Sequence, residues 1–389
     1  MAKIKLGDVC DILNGFAFKS DKYIENGIRI IRIANVQKGY IEDNAPAFYP
    51  IDSAGLEKYM LEEDDLLMSL TGNVGRVALL QKEMLPAALN QRVACLRLKT
   101  DRITKGFLFH ILNSDFFEKN CVQSSNGVAQ KNMSTEWLKD YEIPLYSIEE
   151  QLKITEVLDK ARKIIASRNN ELSALDEIIR ARFVEMFGDP EENPFGWNKV
   201  PLSDVIISAN NGMARRGNDE NGNIVMRLVE LQDGYIDYSN PNRIILKDNE
   251  KKRYLLKDKD FLFARVNGNP DNVGRCAVFH DIGEEVYHND HIIRVHFNDK
   301  LLEGTFASAL LNSDYGKRQL KSQLKTSAGQ YTVSQDGIGA IITILPSMDK
   351  QNEFADFVRA TDKSKAVVQK SLEETQLLFD SLMQKYFGY

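Results

Sequence analysis

No apolar run in this chain of 389 residues approaches the length of a membrane span. Its start, MAKIKLGDVCDILNG, lacks the apolar core of a signal peptide. Cysteine is scarce. Cys10, Cys95, Cys121 and Cys276 are scattered with no close pair, which excludes a disulfide framework and predicts reduced, buried thiols in a cytoplasmic protein. Positive charge is not in excess either. The formal net charge of −6 excludes an indiscriminate nucleic-acid coat, but not a sequence reader whose cations gather on one face. Any DNA affinity of such a chain is concentrated and salt-sensitive. Phosphate-loop chemistry has no home: Gly72 to Gly75 is too short for G-x-x-x-x-G-K-[ST] and is followed by Arg76. A metal-dependent nuclease needs clustered acids with a lysine, and Asp271 followed by Glu284-Glu285-Val286 lacks that lysine.

What the chain does have is one unit of about half its length, written twice. LGDV (Leu6 to Val9) returns as LSDV (Leu202 to Val205), and GYIED (Gly39 to Asp43) as GYIDY (Gly234 to Tyr238). NVGRVAL (Asn73 to Leu79) returns as NVGRCAV (Asn272 to Val278), LNSDF (Leu112 to Phe116) as LNSDY (Leu311 to Tyr315), and Phe187-Gly188 as Phe387-Gly388. The order is kept at an almost constant offset. A repeat this long is a whole domain, not a solenoid unit, and implies pseudo-twofold symmetry suited to a two-part target.

Each copy opens with a strand-rich region and closes with a long charged helix. Strands are predicted at 27–36, 65–70 and 91–98, then at 222–231, 260–266 and 291–297, where β-branched and aromatic residues are bounded by Gly, Asn and Asp. One short helix is predicted at 106–120 and one at 305–320, so each region is α+β. The long helices are predicted at 148–187 and 348–387. Ile154, Leu158, Ala161, Ile165, Leu172, Leu175, Ile179 and Met186 keep heptad spacing, broken at Arg168 and Arg182. Phe354, Val358, Thr361, Val368, Leu372, Thr375, Phe379, Leu382 and Tyr386 repeat it, broken at Lys365. An amphipathic helix usually packs only on its own domain. These two are each too long for that, and the economical arrangement is an antiparallel coiled coil with one globular region at each end. The expected layout is therefore 1–147, helix 148–188, a stiff Pro-containing connector 189–200, 201–346, and helix 347–389.

Three stretches carry a family resemblance: RFVEMFGDPEENPFGW (Arg182 to Trp197), IPLYSIEEQLKI (Ile143 to Ile154) and GNVGRVAL (Gly72 to Leu79). Together with the duplication they resemble specificity subunits of type I restriction–modification systems, over essentially the whole chain. ILPSMDKQNEF (Ile344 to Phe354) is a looser match, without the glutamates before the glutamine. The resemblance implies two target recognition domains, each reading one half of a split double-stranded DNA site, and two helices that set the spacing and dock two modification subunits. Those partners carry S-adenosylmethionine and methylate adenine, and restriction subunits that translocate DNA can join them. This chain is expected to hold no cofactor, no metal and no catalytic residue. The residues agree: Asn193-Pro194-Phe195 and Asn269-Pro270-Asp271 do not fit the Asn/Asp-Pro-Pro-aromatic motif of an adenine methyltransferase.

Base reading needs paired donors and acceptors, and phosphate contact needs cations, hydroxyls or backbone N–H groups. In the first copy the candidates are Arg32, Asn35, Gln37 and Lys38, then Asn73 and Arg76 beside Thr71, then Asn126, Gln130 and Lys131 in the polar loop from Ser124 to Asn132. In the second they are Arg227 and Gln232, then Arg265, Asn267 and Arg275 near Asn269, then Lys325, Gln330 and Tyr331 with Thr326 and Ser327, and in addition Arg215 and Arg216. Any one of these alone reads best as an exposed loop residue; the recurrence of the set favours a binding face. RIANVQK against RLVELQD differs where NVGR does not, as two unlike half-sites require. His288, His291 and His296 read as structural or DNA-contacting rather than as zinc ligands, because no thiol lies near and positions 291 and 296 face opposite ways on a strand. Glu62 to Asp65 reads as a solvated turn. The competing functions are a coiled-coil adaptor with two protein-binding regions and, less well supported, a fused modification enzyme.

Overall fold

The runs Leu66–Ser69 and Phe261–Ala264 are buried at every position because each is an inner strand covered on both faces. Leu66 and Met68 face one core while Leu67 faces another; Phe261 and Phe263 are likewise separated from Leu262 and Ala264. The computed structural model describes residues 2–125, 132–327 and 329–388. The chain divides into two units, Met1–Asn169 with Lys370–Tyr389, and Asn170–Gln369.

Both units use one topology. In the first, an antiparallel sheet runs in the order Cys10–Asn14, Val93–Leu98, Leu66–Ser69, Val77–Leu79. Beside it stands a mixed sheet with Ile28–Ile31 between Phe48–Tyr49 and the parallel strand Ala87–Leu89. Ala2–Lys5 pairs with Glu142–Leu145. The second unit repeats all three: Ile206–Asn211, Ile292–Phe297, Phe261–Ala264 and Cys276–Val278; Asn223–Met226 between Arg243–Ile244 and Val286–His288; and Asn198–Pro201 with Ile342–Leu345. It adds a three-stranded ribbon, Val266–Asn267, Gln330–Thr332 and Lys325–Ser327. Among the described residues, the first unit has a Thr71–Asn132 bridge there.

Several expectations are corrected. The strands predicted at 27–36 and 222–231 stop at Ile31 and Met226, where tight turns begin. Each single short helix is two helices, Lys105–Leu112 with Asp115–Ser124 and Gly304–Asn312 with Asp314–Ser322. Ser114 and Ser313 divide them, each accepting the N–H of the residue three positions on, an N-cap that restarts the helix. Glu62 to Asp65 is a turn, with Asp64 at φ 63°, but it is not wholly solvated: Asp65 is buried and takes two hydrogen bonds from Arg97, at 2.8 and 2.7 Å. All four cysteines are free and buried.

The long helices span Ile148–Phe187 and Met348–Phe387, 40 residues each, about 60 Å at the usual rise. No residue of the predicted heptad stripe is fully exposed. In the first unit Ile154 and Leu158 share a core with Met383 and Phe387. In the second, Phe183 packs on Phe354 with ring centroids 5.6 Å apart. In each unit the start of one helix meets the end of the other, so the pairing is antiparallel. Two breaks in the heptad are polar links between the helices: Arg182 donates to Glu353 at 2.8 Å, and Lys365 to Asp176 at 2.7 Å.

The helix ends do more than pair. Phe387 meets Phe107 at 5.5 Å in one core, and Phe187 meets Phe306 at 4.7 Å in the other. Each core is thus closed by the last turn of a helix that starts in the other unit. Gly188 then stops the first helix at φ +72°, a conformation that suits glycine, and Trp197 donates its indole N–H to the Phe187 carbonyl at 3.0 Å. Near the other end of each helix sits a glutamine with no exposed surface. Gln151 accepts the Thr104 N–H at 2.7 Å and donates to the carbonyls of Arg102 and Tyr146 at 2.9 and 3.0 Å. Gln351 accepts the Glu303 N–H at 2.9 Å and donates to those of Leu301 and Pro346 at 3.1 and 2.9 Å.

Candidate nucleic-acid interface

The turn after Ile31 is built by its own polar side chains. Asn35 is buried; its amide accepts the Arg32 N–H at 2.9 Å and donates to the Glu42 carbonyl at 2.8 Å. The Arg32 guanidinium donates to the Ala45 carbonyl. Gln37 donates to the Ala34 carbonyl at 2.9 Å and accepts from Arg76. Arg32, Asn35, Gln37 and Arg76 therefore belong to one frame, and both ends of the buried Asn35 amide are engaged in it.

The second unit makes the same frame with a different residue at its centre. Glu230, 4% exposed, stands in Asn35's place. It accepts the Arg227 N–H at 2.6 Å and the Arg227 guanidinium at 2.9 and 2.5 Å. Gln232 donates to the Val229 carbonyl at 2.7 Å and accepts from Arg275 at 3.1 Å. The turn carrying Arg76 and Arg275 lies tight on a helix: a Cβ on Gly75 would sit 2.8 Å from Cys121, and one on Gly274 2.5 Å from Leu320. Both glycines also have positive φ, 81° and 83°, so this repeated Gly-Arg is scaffold twice over. Asn73 is exposed beside it.

Lys38 is ion-paired, to Asp115 at 2.5 Å and Glu118 at 2.9 Å. Partial burial works to lower its pKa, but the hydrogen bonds to the two carboxylates outweigh it and hold the ammonium above its ordinary value. Asn126, Gln130 and Lys131 lie outside the described residues.

In the second unit the ribbon gathers four candidates. Asn267 lies opposite Tyr331, Lys325 opposite Thr332, and Gln330 opposite Ser327. Lys325 and Gln330 are exposed, and Asn267 and Tyr331 half-buried. Two of the ribbon's strands, Lys325–Ser327 and Gln330–Thr332, form an antiparallel pair, and a two-stranded ribbon is one of the elements that fits the DNA major groove. Arg265 ties the ribbon's base to the strand-end turn, donating to the Asp290 carbonyl at 3.2 Å. Asp290 also holds Arg216 at 2.7 Å. Arg215 is bound by both oxygens of Glu250, at 3.1 and 2.7 Å. The Lys247 N–H first, and Arg215 after it, keep the Glu250 carboxyl below its usual range against the effect of burial.

The three clustered histidines do separate work. His288 is buried with Nδ1 3.1 Å from the Tyr254 carbonyl; burial, with Arg294 adding to it, pushes its pKa down to about 4. His291 lies 3.1 Å from the Arg216 guanidinium, and His296 3.6 Å from Asp260. Among the described residues no group of three His, Cys, Asp or Glu could hold a metal, and no helix is long and apolar enough to cross a membrane. Sequence reading missed the carboxylates that hold the arginines, Glu230, Glu250 and Asp290. Only Glu230, three residues after Arg227 as Asn35 is after Arg32, was visible in the repeat.

Residues 1–176 match the sequence model of the family described as type I restriction modification DNA specificity domain. The chain is 24% identical to the StySPI type I restriction enzyme specificity subunit of Salmonella potsdam, over 99% of this chain and 88% of that one. It is 21% identical to the EcoKI specificity subunit of Escherichia coli K12, over 97% and 86%. Its fold is similar to that of the type I restriction–modification S subunit from M. genitalium, with a TM-score of 0.58 and 15% identity over 99% of this chain and 96% of that one.

Proposed function

The chain belongs to the type I restriction–modification specificity family, and from that premise we propose that residues 1–147 and 201–346 are its two target recognition domains, each reading one half of a split DNA site. A member of this family recognises DNA sequence for the other subunits of its complex and performs no catalysis itself. The reading is carried by one observation: the frame Arg32–Asn35–Gln37–Arg76 recurs as Arg227–Glu230–Gln232–Arg275, while the residues mounted around it differ. A shared frame with unlike outward residues suits two unlike half-sites.

The antiparallel helices are the spacer and the docking surface for two modification subunits, which carry S-adenosylmethionine. A cytoplasmic complex on chromosomal DNA accords with the free, buried cysteines. The adaptor alternative has no observation of its own in its favour.

The test is methylome sequencing of a host carrying this chain with its neighbouring modification subunit, against a deletion of this chain. The expected outcome is loss of one split motif of methylated adenines. Exchanging residues 1–147 for those of a relative should then rewrite one half of the motif only. Unchanged methylation with a demonstrably active modification subunit would overturn the assignment.

A further inference from the structure

The loops that leave the first strand of each four-stranded sheet start alike. A Cβ on Gly15 would lie 2.2 Å from the Asn90 carbonyl oxygen, and one on Gly212 2.2 Å from that of Asn289. Phe16 and Met213 then bridge to Asn90 and Asn289, both in parallel sense. Beyond this shared anchor the two loops part. Phe18, three residues after Gly15, sits in an aromatic cluster, its ring 5.0 Å from those of both Phe16 and Tyr49. Arg215, three residues after Gly212, lines an open cleft of about 340 Å³ with Arg216, Arg227, Asn242 and Asn289 over Val225.

Each guanidinium at this cleft is already held. Arg215 is fixed by Glu250 and by the Ile245 carbonyl at 2.6 Å, Arg216 by Asp290, and Arg227 by Glu230. Every arginine thus has its own carboxylate, and the cleft offers no surplus positive charge to draw a phosphate. What it offers is fixed donors: Arg215 Nη1, with two N–H groups, is in none of that side chain's bonds, and Arg216, held at Nη1 by the Ala214 carbonyl and at Nη2 by His291 and Asp290, keeps Nε. A donor whose position is locked by neighbours is suited to a base edge, where guanine presents the acceptors O6 and N7. Arg227 has a counterpart: like Arg32, it reaches a carbonyl across its own turn, at Asn240 against Ala45. Arg215 and Arg216 have none, since Phe18 and Lys19 stand in their places.

We infer that Arg215 and Arg216 are base-reading residues of the second recognition domain, directed at guanine in the half-site that domain reads. The inference rests on the DNA-recognition assignment above and names where its specificity lies.

Arg215→Lys and Arg216→Lys keep the charge and remove the planar guanidinium whose position its neighbours fix. In the assembled methyltransferase, methylome sequencing should show one G·C position of the second domain's half-site relaxing about five- to a hundredfold for each. The other half should stay intact, and methylation of unaltered sites should be retained. Glu250→Gln, which loosens Arg215 without touching it, should relax the same position less. A uniform fall at all sites with the motif unchanged would overturn the inference, as would an unchanged motif in both lysine variants. Failure of the unaltered chain to direct any split motif would instead sink the DNA-recognition assignment itself.

Discussion

In both units the loop after the polar turn is tied to a neighbouring helix, but the charges are exchanged. Lys38 meets Asp115 and Glu118 in the first unit. Asp233 meets Lys317 at 2.7 Å in the second, where Lys317 holds Glu118's place in the repeat. Gln151 and Gln351, by contrast, are the same residue making the same three bonds. The difference follows burial. An exposed ion pair works with either polarity, so only complementarity is kept. A wholly buried amide that satisfies one backbone donor and two acceptors has no replacement among the other side chains of its size. The opening of each long helix shows the same rule. Ser147 and Glu150 cap the first in a reciprocal box, and the second has Lys350 in place of that glutamate. The exposed cap is dispensable and the buried glutamine is not.

The largest effect should therefore come from Gln151→Leu and Gln351→Leu. Each strands three backbone groups at about 1–3 kcal/mol apiece, so a loss of about 3 kcal/mol or more is expected from either. Denaturant midpoints of the intact chain read the loss. Hydrogen exchange should show the Thr104 amide deprotected in the first variant and the Glu303 amide in the second. If one variant is nearly silent, the two sites are not equivalent and the comparison breaks at its strongest point.

A second difference lies inside the mixed sheets. Leu89 pairs with Ile31 where His288 pairs with Met226. His288 is buried and neutral, with its pKa lowered to about 4 by burial first and by Arg294 second. The unfolded chain takes up that proton near 6.5. Stability from this site is thus complete above about pH 6.5 and is lost as pH falls toward 4, at most about 3 kcal/mol. His110 in the first unit is also lowered by burial, but Asp159 at 2.8 Å opposes the shift. His288→Leu, which copies the first unit, should flatten the acid side of the stability curve, measured as urea midpoints at pH 7.5 and 5. An unchanged acid slope would show that the loss comes from elsewhere.

The long helices were fully legible, because a heptad stripe over 40 residues without Pro or Gly leaves no other reading. The duplication was legible too, and with it the equivalence of the two frames. Hidden were the features set by residues far apart in sequence. Nothing local says that Phe187 and Phe387 close the core of the unit opposite to the one their helix starts in. Nothing local says that Arg215 is held by Glu250, 35 positions on. Asn35, a good adenine reader by residue type, is instead taken up by its own turn, between the Arg32 N–H and the Glu42 carbonyl. The strands predicted at 27–36 and 222–231 run past the observed ends because the apolar periodicity continues through Val36 and Leu231, which lie beyond the strand ends and fold back from the turn onto the core that the sheets share.

The smallest effect should be the charge exchange. Lys38→Asp sets a carboxylate against Asp115 and Glu118, and at this exposure the cost should be about 0.5–1 kcal/mol. Adding Glu118→Lys rebuilds the arrangement of Asp233 and Lys317 and should recover most of it. Raising the salt to about 0.5 M should shrink both the loss and the recovery, since the Debye length then falls to a few ångströms. A double-mutant cycle on urea midpoints separates the pair from its surroundings. Recovery would mean that the pair alone is held to complementarity, which is what the two units together imply. Failure to recover would mean that the loop around Lys38 has been fitted to a positive charge by more than its partners, and that the two units have diverged beyond a reversal of sign.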